Sequence, residues 1–273
     1  MLIGYNTNGF AHHALDDALE ILAELGYGAV AITPDVHHLP PFTTSGAELR
    51  RVRARLESLG LAVVVETGAR YVLDARRKHR PNLLEADAEA RRVRSDFLRR
   101  CAEMAGEIGA SAISIWSGQK PEGTSAHEAD RYLAEGVAAL CGAAAALGVR
   151  VAMEPEPGMW VETLAQWERL RDAVAHPALG LTLDTGHVPC TESISTAEAI
   201  ERHRSELLNV HLDDVRNGVH DHLQIGEGEL PWPEVMRALA GFAGVASVEL
   251  SRHSHDAPRA AAAAIERLRA SQP

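Results

Sequence analysis

The stretch ALCGAAAALGVRVAMEPEPG, residues 139–158, runs from a helical repeat through a glycine into a short apolar strand that stops on a carboxylate, Glu154. Leu133, Val137, Leu140 and Ala144 recur at helical spacing. Gly148 supplies the left-handed residue that closes a helix. VRVAME, at 149–154, then has the apolar density of a strand covered on both faces.

The same junction returns in AELGYGAVAI (23–32), ESLGLAVVVE (57–66) and EIGASAISI (107–115). Further strand-like runs are LIGY at 2–5, AVAIT at 29–33, LAVVVE at 61–66, SAISIW at 111–116, LGLTLD at 179–184, LLNVHL at 207–212 and VASVEL at 245–250. With 149–154 they make eight, each followed by a helical pattern such as Leu15, Leu19, Leu22 and Leu25. Eight βα units, without a GxGxxG turn after the first strand, predict an α/β chain closed as a (β/α)8 TIM barrel rather than an open doubly wound sheet. No linker divides the chain, so a single TIM-barrel domain over residues 1–273 is expected.

Bulk properties narrow the function classes. The 273 residues, 46% hydrophobic, can bury a sizeable core. With 27 basic and 38 acidic side chains the formal charge is −11, which opposes a polyanion-binding surface; no nucleic-acid partner is expected. No run approaches the roughly 18 apolar residues that span a bilayer, and MLIGYNTNGF lacks the pattern of a secretory leader, so a cytoplasmic protein with no membrane partner is expected. Cys101 and Cys141 fall in helical patterns and Cys190 in a loop; without CxxC spacing they read as structural thiols.

Four consecutive strands end in a side chain able to bind a metal: Glu154, Asp184, His211 and Glu249. Charged groups at the C-terminal ends of neighbouring barrel strands converge on a small volume and repel unless a cation neutralises them. A private salt bridge would account for any one of the four, but not for the series. Three carboxylates and one imidazole suit one divalent metal, Mn2+ or Mg2+ first, with Co2+ or Zn2+ as alternatives.

The ordered series VAMEPEPG, GLTLDTGH, NVHLDD, HDHLQIGEGEL and SVEL resembles the xylose-isomerase-like TIM barrels, a superfamily of sugar isomerases and epimerases that also holds inosose dehydratase and the endonuclease IV type of apurinic endonuclease. The resemblance spans nearly the whole chain. It implies that Glu154, Asp184, His211 and Glu249 bind the metal, that His187 contacts substrate or a second metal, and that His222 lines the substrate pocket or binds a further zinc. It also directs attention to an arginine after the strand 7 histidine; Arg216 is the nearest match, one residue closer than expected. The endonucleases carry further ligands where this chain has Glu66, Trp116 and His220, so a one-metal enzyme is expected.

A single divalent ion in an open site acts as a Lewis acid on a carbonyl and its neighbouring hydroxyl, stabilising an enediolate. Glu154 and Glu249 would then remove and return a proton. The expected function is isomerisation or epimerisation of a ketose, sugar phosphate or related polyol. A dehydratase or lyase acting on an inosose or a dehydroshikimate-like ring is the nearest alternative, followed by abasic-site endonuclease and non-catalytic sugar binding. Homodimers or homotetramers are compatible with the pattern.

Asn6 after strand 1, Glu66 at the end of strand 3 and Trp116 at the end of strand 4 are further substrate-binding candidates. The longest connection, residues 67–86, concentrates Arg70, Arg76, Arg77, Lys78 and Arg80. These read either as a solvated loop or as a site for an anionic substrate group. His37 and His38 read as ordinary loop residues.

Overall fold

A computed structural model describes residues 1–68 and 70–272; Ala69, in the long connection, and Pro273 lie outside the described residues. Eight parallel strands close into a barrel: β1 (Leu2–Asn6), β2 (Ala29–Ile32), β3 (Ala62–Glu66), β4 (Ala112–Trp116), β5 (Arg150–Glu154), β6 (Leu179–Asp184), β7 (Leu207–Leu212) and β10 (Val245–Val248). Going round the barrel the order is β1, β10, β7, β6, β5, β4, β3, β2, so the first and last strands pair and leave no edge. This is the TIM barrel expected from the repeat.

The helices behind the strands are α1 (Leu15–Glu24), α2 (Gly46–Leu59), α3 (Ala88–Ile108), α4 (Ala126–Ala145), α5 (Leu164–Val174), the pair α6 (Val188–Thr191) and α7 (Thr196–Arg202), then α8 (Trp232–Ala238) and α9 (Ala257–Ala270). Their ends are written in the sequence. Gly60 and Gly109 close α2 and α3 at φ +67° and +81°, angles that an L side chain rarely adopts. Ser125 with Glu128, and Thr163 with Gln166, form capping boxes at the starts of α4 and α5.

The main core lies between the helices and the outer face of the strands, anchored by buried Trp167, Phe97 and Phe10. A separate apolar cluster of Ala29, Ala31, Val64 and Val245 forms within the ring of strands. Polar side chains also meet across it: Ser114 of β4 and Thr182 of β6 are 2.9 Å apart, oxygen to oxygen. Among the described residues no helix is long and apolar enough to cross a membrane.

Three local features depart from the sequence reading. Cys190 lies in the short helix α6 rather than a loop. Glu249 follows β10 directly instead of closing it. The connection after β7 carries an antiparallel hairpin, β8 (Asp214–Arg216) with β9 (Val219–Leu223). Asn217 and Gly218 turn it at φ +55° and +65°, the pair of left-handed angles that a two-residue turn of this hand demands.

Candidate metal site

The C-terminal ends of β5, β6, β7 and β10 deliver Glu154, Asp184, His211 and Glu249 to one point, each offering a ligand atom within 4.8 Å of the others. His211 is at its centre. Its Nδ1 lies 2.9 Å from Glu154 Oε1, 2.8 Å from Glu249 Oε2 and 3.9 Å from Asp184 Oδ2. The other ring nitrogen, Nε2, lies 3.0 Å from Glu66 Oε1, which also accepts from Asn209 Nδ2 at 2.8 Å. A proton on Nε2 donated to Glu66 leaves the Nδ1 lone pair facing the three carboxylates, the arrangement by which an outer carboxylate orients a metal-binding imidazole.

The electrostatics describe a site in need of positive charge. Burial pushes Glu154 up to about 6, with Glu249 and Glu66 adding to it against the pull of His211. Burial, then Asp213 and Glu154, hold Asp184 well above the ordinary carboxylate value. Burial opposes the imidazolium of His211, yet Glu154, Glu66 and Glu249 outweigh it and raise the group well above its usual value. For Glu249 burial is likewise outweighed, by His211, His222 and the Asn8 amide, and its carboxyl is held below the usual range. Asp184 Oδ1 accepts from Gly186 N at 2.7 Å and His187 N at 3.0 Å, whereas its buried Oδ2 has no hydrogen-bond partner among the described residues. An orphaned buried carboxylate oxygen, facing two other carboxylates and an imidazole, is what a hard or borderline divalent cation satisfies.

A cavity of about 130 Å³ opens over this cluster, lined by Asn6, Glu66, Trp116, Glu154, His187, His211, His222 and Glu249 among the residues singled out from the sequence. Asp184 lies beneath it. Asn6 Oδ1 accepts from the Thr33 hydroxyl at 2.7 Å and from Asn8 N at 3.1 Å. Glu66 lines the wall but spends one oxygen on His211 and Asn209.

His187, at the start of α6, contacts the Pro155 carbonyl through Nδ1 at 3.0 Å and His220 through Nε2 at 2.9 Å. Burial, then His220, depress His187 to about 3; burial, then His222, depress His220 to about 4. His222 lies 2.7 Å from Asp213 Oδ2, and although burial works the other way this carboxylate raises it to about 9. His187, His220 and His222 form a second group with ligand atoms in metal reach, and Asp184, Asp213 and His222 a third. His220, at one of the places where the endonucleases carry further ligands, thus offers a nitrogen donor of its own.

Arg216 does not join the pocket. At the end of β8, beside the Asn217–Gly218 turn, its side chain is exposed and donates to the Glu227 carbonyl outside the barrel mouth. The arginine that the family resemblance implied, matched only one residue out of register, is therefore not among the residues lining the cavity. His37 and His38 also lie apart from the cavity lining; His38 is buried, with Nε2 2.9 Å from the His13 carbonyl.

The structure adds residues not singled out from the sequence. Asn8 donates to Glu249 Oε1 at 2.8 Å. Asp213 Oδ1 accepts from Gly186 N at 3.0 Å while Oδ2 faces His222. Glu156 lines the cavity, and burial, then Glu154 and Glu249, push it up to about 8. The strand-end position of Glu156, two residues beyond Glu154, and the adjacent acids in NVHLDD were the available signals.

The sequence profile of the xylose isomerase-like TIM barrel family matches residues 19–271. No curated protein sequence matches the chain. Among solved structures, D-psicose 3-epimerase from Clostridium cellulolyticum H10, solved with D-tagatose, is similar with TM-score 0.80 at 19% identity over 99% of each chain. The IolI protein with a zinc atom is similar with TM-score 0.80 at 19% identity, over 99% of this chain and 98% of that one. The probable 3-DHS dehydratase AsbF, involved in petrobactin synthesis in Bacillus anthracis, reaches TM-score 0.80 at 17% identity over 98% of this chain and 99% of its own.

Proposed function

The chain belongs to the xylose isomerase-like TIM barrel family, and from that premise we propose that it is a divalent-metal-dependent isomerase or epimerase acting on a ketose or related polyol. The observation that carries the reading is the convergence of Glu154, Asp184, His211 and Glu249 beneath a polar cavity at the C-terminal mouth. The neighbours support it: one is an epimerase solved with a ketose, another holds zinc.

Glu154, Asp184, His211 and Glu249 would hold the ion, Mn2+ or Mg2+ by their donor set, and it would supply Lewis-acid charge to a carbonyl and the hydroxyl beside it. Glu154 and Glu249 come from the two ends of the arc β5–β6–β7–β10, and in this reading they would meet the substrate from different sides. One carboxylate takes the proton alpha to the carbonyl and the other delivers one. Delivery to the opposite face of the same carbon epimerises it; delivery to the neighbouring carbon isomerises the sugar. His187 lines the cavity, and its Nε2 would exchange the 2.9 Å contact with His220 for a substrate hydroxyl, while Trp116 would offer its ring to the carbon skeleton.

The test is solvent-deuterium exchange, followed by NMR, with metal-loaded protein and a panel of D-fructose, D-tagatose and D-allulose. Wild type exchanges the alpha proton, while Glu154→Gln and Glu249→Gln do not. Absence of exchange with every ketose, together with water loss from an inosose or from dehydroshikimate, would replace this reading with the dehydratase one, which the likeness to AsbF keeps in view.

A further inference from the structure

The connection between β3 and α3 holds five cations, and the structure sorts them. Arg77 pairs with Asp74 and Arg80 with Glu85, each through Nε at 2.6 Å. Arg76 is exposed and lies off the cavity wall. Arg70 and Lys78 form no salt bridge among the described residues, and both line the cavity over the four-ligand cluster. Arg70 and Lys78 thus border the substrate space without a salt bridge, although Lys78 is exposed like Arg76 and lies near enough to the buried Glu156 carboxyl of the same wall to act on it electrostatically.

An independent observation lies behind the same wall. Arg94 of α3 is 1% exposed, with its guanidinium carbon 4.7 Å from the centre of the Trp116 ring. Its Nη2 reaches the Thr67 carbonyl at 3.5 Å, and its Nη1 has no hydrogen-bond partner. No carboxylate pairs with it among the described residues. Burial lowers it only to about 10, so it remains charged at neutral pH. A buried cation without a counter-charge is costly, and two of the residues it contacts, Trp116 and Thr67, line the cavity, while the third, Phe97, belongs to the core behind it.

We propose that the substrate carries an anionic group, a carboxylate or a phosphate, bound between Arg70 and Lys78 against the wall formed by Trp116 and Thr67. The inference rests on the sugar isomerase reading insofar as it assigns the far end of that substrate. Guanidinium and ammonium donors suit either oxyanion. Space is available: past Lys78 the cavity adjoins a groove of about 420 Å³, lined also by Asn82 and Gln119. Glu156 also lines both spaces, so the anion is assigned to the Arg70 and Lys78 side, away from that carboxyl and from the carboxylates of the metal cluster.

Isothermal titration of the metal-loaded protein with inorganic phosphate and, separately, with acetate tests this. Arg70→Gln and Lys78→Gln should each raise Kd for the favoured anion roughly tenfold, the ratio expected for one charge-assisted hydrogen bond. Arg76→Gln should leave it unchanged. The tighter of the two probes identifies the group. Arg94→Met should weaken the same anion, and the two loop variants, being on a partly exposed segment, keep the test intact if that core change fails to fold. Absence of binding by both anions, or equal Kd values across the variants, overturns the proposal. Deuterium exchange into a neutral ketose persisting without anion binding would sink this inference alone, whereas anion binding without exchange would sink only the reaction.

Discussion

Replacing Asp184 by Asn separates a metal ligand from a structural carboxylate. Oδ1 of either residue accepts from Gly186 N and His187 N, so the local turn survives; what disappears is the charge on the buried Oδ2, which has no hydrogen-bond partner among the described residues. Burial, Asp213 and Glu154 already hold this acid well above its ordinary value. The variant without metal should therefore be as stable as wild type or more so. With metal the order reverses. A cation present at about 100 times its Kd adds about 2.7 kcal/mol to wild-type stability, or roughly 5–11 °C in Tm. Loss of one charged ligand in four weakens binding by about 1.5–3 kcal/mol, near 10- to 150-fold. At the same cation concentration Asp184→Asn keeps only about 0.3–1.4 kcal/mol of that gain, roughly 1–6 °C. Thermal unfolding by circular dichroism, with chelator and then with Mn2+, Mg2+, Co2+ and Zn2+ in turn, measures both halves. A metal-free Tm several degrees lower in the variant, with an undiminished cation shift, would mean that Asp184 is structural. Absence of any cation shift in wild type would remove the metal site itself.

Glu66→Gln keeps an oxygen for His211 Nε2 but removes the charge that orients the ring, and the Kd for Mn2+ should rise about 10- to 100-fold; an unchanged Kd would show that the 3.0 Å contact has no bearing on metal binding. Gly228→Ala would drive a Cβ into the Asp214 carboxylate and the Val215 carbonyl. Asp214 accepts from Gly226 N, Leu230 N and Trp232 Nε1, so urea unfolding should report a loss of about 1–3 kcal/mol; a neutral result would mean the loop shifts freely. Burial, against the smaller pull of the His13 carbonyl, lowers the pKa of His38. Below about pH 6.5 the unfolded chain takes up a proton that the folded ring refuses. The stability advantage of wild type over His38→Gln should therefore be full above pH 7 and shrink as the pH falls through 6.5, by at most about 1.36 kcal/mol per pH unit; a gap that widens toward acid would refute the assignment.

The barrel was legible because its information is local and repeated. A helical stripe, a left-handed glycine and a doubly buried strand each obey a short-range rule, and Gly60 and Gly109 adopt the angles that rule requires. The convergence of the four strand-end side chains was legible for the same reason: closure of the sheet brings the ends of β5, β6, β7 and β10 together whatever the loops do. The hairpin was also encoded locally, in Asn217–Gly218, but its second strand, VHDHL, is polar and partly exposed and lacks the alternation that marks a strand. Arg216, the nearest match to the arginine that the resemblance implies, sits at the end of the hairpin's first strand, beside the turn and off the cavity wall.

What stayed hidden depends on partners far apart in the chain. Glu66 was read as a pocket carboxylate, yet the oxygen it places on His211 connects residues 145 positions apart, from strands on different sides of the ring. His220 stands where the endonucleases carry a further ligand, and its ring nitrogen 2.9 Å from His187 makes it a candidate donor in its own right. The basic loop shows the limit most clearly. Five cations can be counted from the sequence, but their meaning lies in the difference between them. Asp74 and Glu85 neutralise Arg77 and Arg80, leaving Arg70 and Lys78 to face the cavity and Arg76 to face solvent. Composition reports the total charge of a loop, while the proposed anion site depends on which of those charges the fold turns toward the cavity without a salt bridge.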